Sequence, residues 1–149
     1  MLISRTAHLR LKTSDTGEYD ELGHRHWNFL LELHAAFAEN VRGFEDADGV
    51  HDLGTVCNRN RNARCFLAVE VEGSGSRKHT MGGAINAAAL GRVGISVACS
   101  ASEFKKLLKM RRYLLFLAAV GKNTFDTTNL IVVTREQLGQ ALRVDLAGV

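Results

Sequence analysis

Residues 65–72, CFLAVEVE, constrain the fold more than any other stretch of the chain. From Cys65 to Glu70 only the last side chain is polar, the pattern of a strand covered on both faces, as central strands are. Alternation puts Phe66, Ala68, Glu70 and Glu72 on one face and Leu67, Val69 and Val71 on the other. Two acids about 7 Å apart along the strand therefore emerge together from its end. Repulsion and desolvation make that costly unless a cation or a proton offsets it.

A covered strand needs elements on both sides, and the flanking sequence supplies them. Leu22, Phe29, Leu30, Leu33, Phe37 and Val41 recur at helical spacing, predicting a helix from about Tyr19 to Val41 that stops at Gly43. Asp48-Gly49 between short extended pieces predicts a hairpin, and NRNRNA at 58–63 a second turn, so three strands form a meander. After Glu72, Gly-Ser-Gly-Ser leads into a helix of small residues at about 78–90, closed by Gly91. RVGISVAC is a buried strand. Ser100 and Glu103 form a capping box for a helix to about Val120, which stops at Gly121 and buries Phe104, Leu107, Leu108, Leu114, Leu115 and Ala118. NLIVVT is a last strand, followed by a short helix at about 136–142. The fold class is α/β, a mixed central sheet flanked by helices.

A chain of 149 residues accommodates a single domain, residues 1–149, with a substantial core. There is no apolar run long enough to cross a membrane and no signal-peptide pattern at the start. Cys57, Cys65 and Cys99 contain no CxxC pair and are expected to be reduced thiols, so the protein is placed in the cytoplasm without membrane association. The net charge of +3 conceals an uneven distribution: residues 1–72 hold 12 acids and 8 bases, whereas 73–125 hold nine Lys/Arg and one acid, Glu103. A basic middle beside an acidic beginning suits a polyanion on one surface; the bland reading is a solvated surface that aids solubility.

Asp52, expected on the second strand, together with Glu70-x-Glu72 ending the third, gives an acid, a turn, then an acid-x-acid pair. That layout resembles the core of the PD-(D/E)XK nuclease superfamily, which includes restriction enzymes, junction resolvases and repair nucleases. The resemblance spans about residues 19–134 and rests on element order (αβββαβ, then helix and strand) plus three acids. It implies a restriction-endonuclease-like core and a metal-dependent endonuclease that hydrolyses DNA. His51-Asp52 stands where the name motif has Pro-Asp, and Glu72 where a lysine is usual.

The resemblance implies Asp52 and Glu70 as ligands of Mg²⁺ or Mn²⁺, with the Val71 carbonyl a third ligand and Glu32, on the first helix, an additional one. Glu72 either joins them or acts as a base toward the attacking water. Lys78 orients that water or neutralises the transition state, and Asn86, on the same helix face, is the polar residue near the site. The chemistry fits independently: hard cations prefer oxygen ligands, and phosphodiester hydrolysis needs an activated water and shielding of developing charge. Asp52 alone fits a cap or turn equally well.

Lys105, Lys109 and Arg112, at i, i+4 and i+7, form a basic stripe, and Arg59 and Arg61 decorate the 58–63 turn; all suit phosphate contacts without sequence preference. A homodimer or a partner subunit would supply what one short domain lacks. The alternative keeps the fold and loses the chemistry: a nucleic-acid-binding module or assembly subunit. A third reading, an α/β enzyme holding a phosphorylated small molecule on the Gly-Ser loop, matches neither GxGxxG nor GxxxxGK[ST].

Overall fold

The computed structural model describes residues 7–8, 16–44, 49–73, 75–122 and 125–148. In chain order the elements are β1 (Ala7–His8), α1 (Thr16–Arg25), α2 (Trp27–Phe44), α3 (Leu53–Arg59), β2 (Cys65–Glu72), α4 (Arg77–Leu90), β3 (Gly91–Ala98), α5 (Ala101–Ala119), β4 (Leu130–Thr134) and α6 (Arg135–Ala147). The strands lie side by side in the order β1-β2-β3-β4. β2, β3 and β4 run parallel, and β1 pairs antiparallel with β2. Two consecutive strand–helix–strand crossovers thus build the parallel part, and the α/β class follows.

β3 is buried along its whole length, as a central parallel strand must be. Register places Ala68 beside Gly94, Glu70 beside Ser96 and Glu72 beside Ala98. The face they share is covered by α4. That helix presents Thr80, Ala84, Ala87 and Ala88 to the sheet, and Gly94 has no side chain to hold it off. A Cβ at Gly94 would stand 2.7 Å from the Ala87 carbonyl carbon and from the Ala88 nitrogen. Because both obstacles are backbone, Gly94→Ala is expected to cost about 1–3 kcal/mol, seen as a lower urea midpoint with an unchanged slope.

α4 passes into β3 without a loop, which leaves its last carbonyls in need of donors. Two asparagine amides supply them. Asn60 Nδ2 donates to Ala88, Ala89 and Gly91 carbonyls, and Asn129 Nδ2 to Ala88, Gly91 and Arg92 carbonyls. At the β4 edge, Asn40 of α2 donates to the Val132 carbonyl at 3.0 Å and exchanges hydrogen bonds with Gln137. α6 begins on a complete capping box between Thr134 and Gln137 and reaches Ala147, longer than the sequence signals suggest.

Three expectations change. The single helix at 19–41 is two, because the chain turns at His26; hydrogen bonds from His26 N to Leu22 O and Leu30 N to His26 O carry the helical pattern across. The second strand of the meander is absent: Leu53–Arg59 is helical, capped by Asp52, with Leu53 and Val56 at i and i+3 as its buried face. Residues 45–48 of the expected hairpin lie outside the described residues; Gly49 itself has φ +103°. Finally, the buried stripe of α5 runs through Glu103, Leu107, Met110, Arg111 and Leu114, while Ala118 is exposed. Arg111 enters the core because its guanidinium lies 4.8 Å from the Phe37 ring centroid and donates to the Gly49 carbonyl. Burial lowers its pKa to about 10.

All three cysteines are free. No helix among the described residues is long and apolar enough to cross a membrane.

Candidate functional site

Glu70 and Glu72 end β2 on the face that α4 covers, and both are buried, at 4% and 8% exposure. The covering is close: a Cβ at Gly83 would lie 2.9 Å from Glu72 Oε1 and 3.6 Å from the Glu70 carboxyl carbon. Thr80, one turn earlier on α4, holds its hydroxyl 3.5 Å from Glu72 Oε2. Ser96 stands beside Glu70 on β3, wholly buried, and its Oγ has no hydrogen-bond partner among the described residues.

A third acid approaches from α5. Glu103 is 4% exposed; its Oε1 accepts a hydrogen bond from Lys106 Nζ at 2.7 Å, and its Oε2 has no hydrogen-bond partner among the described residues. Burial raises the Glu72 pKa above its usual 4.5, and the charges of Glu70 and Glu103 raise it further, against a smaller lowering by the Thr80 hydroxyl and His79. The sign for stability follows. Below the usual carboxyl value Glu72 is protonated in both folded and unfolded chains and carries no penalty. As pH rises through the elevated folded value, the buried charge appears and stability is lost. The stability advantage of Glu72→Gln over wild type, with chelator present, is therefore expected to grow as pH rises above 4.5, as thermal unfolding across pH would show.

The structure does not gather all the sequence candidates here. Asp52, expected on a strand, is instead the exposed N-cap of α3, and its carboxylate accepts from Thr55 N at 2.9 Å and from the Thr55 hydroxyl at 2.7 Å. The Thr55 hydroxyl, then its N–H, hold that carboxyl below its usual value. Val71 lies in β2 opposite Val97, its side chain partly exposed on the other face. Glu32 is exposed on α2, a helix that packs chiefly on α6 and β4. Lys78 and Asn86 do share a helix face, as their spacing predicts, but that face is exposed, while Thr80, Gly83, Ala84 and Ala87 meet the sheet.

Arg59 and Arg61 precede β2, whose first residue lies about 23 Å along the strand from Glu72. Arg59 pairs with Asp126, and Arg61 bonds Asn58 and lies 3.6 Å from Asp20. Lys105 and Lys109 are exposed on α5 and line a cleft between α4 and α5, which Arg112, also exposed, does not.

Sequence reasoning missed Thr80, Ser96 and Glu103. Ser96 is legible in hindsight as the lone hydroxyl inside the buried strand RVGISVAC. Glu103 shares the i, i+4, i+7 spacing of Leu107 and Met110, a sign of burial masked by its role in the expected capping box. That box is half made: the Ser100 hydroxyl accepts from Glu103 N, while the Glu103 carboxylate meets Lys106.

The donors at the strand end, two carboxylates and nearby hydroxyls, are the oxygen set a hard cation prefers. No group of three or more His, Cys, Asp or Glu side chains among the described residues is arranged to hold a metal ion. Two carboxylates suit Mg²⁺ nonetheless, since that ion keeps several waters and is often held through one or two carboxylates plus substrate phosphate. Comparison with protein-family models, curated proteins and solved structures finds no match to this chain.

Proposed function

We propose that the protein is a divalent-cation-dependent nuclease that hydrolyses DNA phosphodiester bonds on a restriction-endonuclease-like core. The observation that carries this reading is the side-by-side burial of Glu70 and Glu72 at the C-terminal end of a parallel strand. Ligands of open α/β sheets bind at that end. Two buried carboxylates on one face are destabilising when both are charged, and a bound cation would offset that cost where a proton otherwise must.

Mg²⁺ or Mn²⁺ held there would supply an activated water and shield charge on the phosphorane and leaving oxygen. Glu70 and Glu72 would hold the ion through their carboxylate oxygens. The Thr80 hydroxyl, shared with the Ser76 carbonyl at 3.3 Å, faces Glu72 Oε2, and Ser96, beside Glu70, provides a hydroxyl that can donate to a carboxylate and so fix its orientation. α4 excludes water from the inner side of the pair, which strengthens every charge interaction within it. Glu103, with Lys106, sets the local field from α5.

A second reading, a nucleic-acid-binding module without chemistry, is favoured by one observation: Asp52 is occupied as a helix cap. Incubating supercoiled and single-stranded DNA with Mg²⁺ or Mn²⁺, with and without chelator, separates the two. Cutting that needs the metal supports the nuclease; salt-sensitive DNA binding without cutting supports the module.

A further inference from the structure

The cleft between α4 and α5, about 590 Å³, combines cations with apolar side chains. Arg77 enters it from the first turn of α4, and Lys105, Lys106 and Lys109 line it from α5. Lys106 is paired with Glu103, but Arg77, Lys105 and Lys109 make no ion pair with another described residue. Tyr113, 51% exposed, stands at the far end. From Ser102 to Tyr113 the α5 wall is about 16 Å long at the helical rise. Thr80 belongs both to this cleft and to the carboxylate site, since its hydroxyl faces Glu72.

We propose that this cleft binds a single strand of nucleic acid, with phosphates on Arg77, Lys105 and Lys109 and an unpaired base stacked on Tyr113. The inference rests on the nuclease reading for its purpose, since Thr80 would lead the bound strand to Glu70 and Glu72, but not for its binding chemistry. Charge complementarity selects a polyanion: three cations that pair with no other described residue, on one concave surface, attract a phosphate chain and release its counterions. The shape and the aromatic select a single strand. A duplex keeps its base faces stacked against one another, so it offers nothing to a tyrosine in a cleft; an unpaired base does. A cavity of this size is also in the range that encloses a nucleotide-sized group.

Fluorescence anisotropy of a labelled oligo(dT), measured with the full chain in EDTA, tests the assignment apart from cleavage. Binding is expected to be salt-dependent and tighter than for a duplex of the same length. Lys105→Glu with Lys109→Glu should weaken it more than about tenfold and flatten the log K against log salt slope by about 0.7 for each phosphate no longer neutralised. Tyr113→Ala should weaken it by roughly 5- to 100-fold, and Tyr113→Phe, which keeps the ring, should restore it. All three side chains are exposed, so thermal unfolding of each variant should coincide with wild type.

No oligo(dT) binding, duplex affinity equal to or above single-strand affinity, or a Tyr113→Ala variant that binds like wild type would each overturn the assignment. The two proposals fail separately. Binding that behaves as described while metal-dependent cutting is absent removes the nuclease and leaves the cleft. Metal-dependent cutting of duplex by a protein that ignores oligo(dT) does the reverse.

Discussion

Glu70→Ala and Glu72→Ala are each expected to reduce metal-dependent cleavage by more than about 100-fold, because even outer partners of metal ligands cost 10- to 100-fold. The reduction should come with a gain in stability when metal is absent. Removing either carboxylate relieves the repulsion that, with burial, holds the Glu72 carboxyl above its usual value. Wild type should therefore gain in melting temperature on adding Mg²⁺ or Mn²⁺, and the variants should not. If Glu72→Gln neither stabilises the metal-free protein nor abolishes the metal response, the pair is not a cation site. Asp52→Asn gives the complementary control. Asparagine caps a helix as well as aspartate does, so a residue that only caps α3 tolerates the change, whereas a metal ligand loses a charge and with it the activity.

At the other end of the sheet, Asp20→Ala is expected to destabilise the protein by about 3 kcal/mol, while Arg92→Met costs about 1 kcal/mol or less. Arg92 points from β3 into the core, its side chain 2% exposed, with Nη1 bonded to Asp20 at 2.8 Å and its guanidinium 5.6 Å from the centroid of the Tyr19 ring. Its Nε and Nη2 have no partner among the described residues. Truncating the aspartate leaves a buried charge supported by the Tyr19 ring and a long, 3.5 Å bond from Nη1 to the Cys57 carbonyl. Replacing the arginine removes the charge and both unpartnered donors, and leaves Asp20, 41% exposed, to water and to Arg61. The lower end of the usual range for breaking a buried pair applies because Asp20 is that exposed. Denaturant titration of both variants and the double variant checks the asymmetry; a costlier Arg92→Met would show that the guanidinium holds α1 to the sheet by more than this pair.

Local patterning determined much of this protein. The apolar run at Cys65–Glu72 and the strand RVGISVAC form the parallel core strands β2 and β3, and NLIVVT forms β4. Gly121, at φ +70°, follows the end of α5 in the left-handed conformation that glycine adopts without strain. These signals are legible because alternation, helical period and glycine conformation act within a few residues. Where two local readings compete, local signals do not decide. DLGTVCNR carries β-branched residues that suit a strand and a capping aspartate that suits a helix; the helix forms because Leu53 and Val56 then bury together.

What the pair of glutamates faces was settled only by tertiary contact. Their common side of β2 follows from alternation alone. That Gly83 and Thr80 lie over them, rather than Lys78 and Asn86, depends on how closely α4 sits on Gly94. Asp52 and Glu72 are separated by helix α3 and most of β2, and no spacing in the sequence reports that distance. Ser96 and Glu103 reach the site from other elements for the same reason: register and helix packing bring together side chains that are remote along the chain, and burial then makes two ordinary acids costly to charge together.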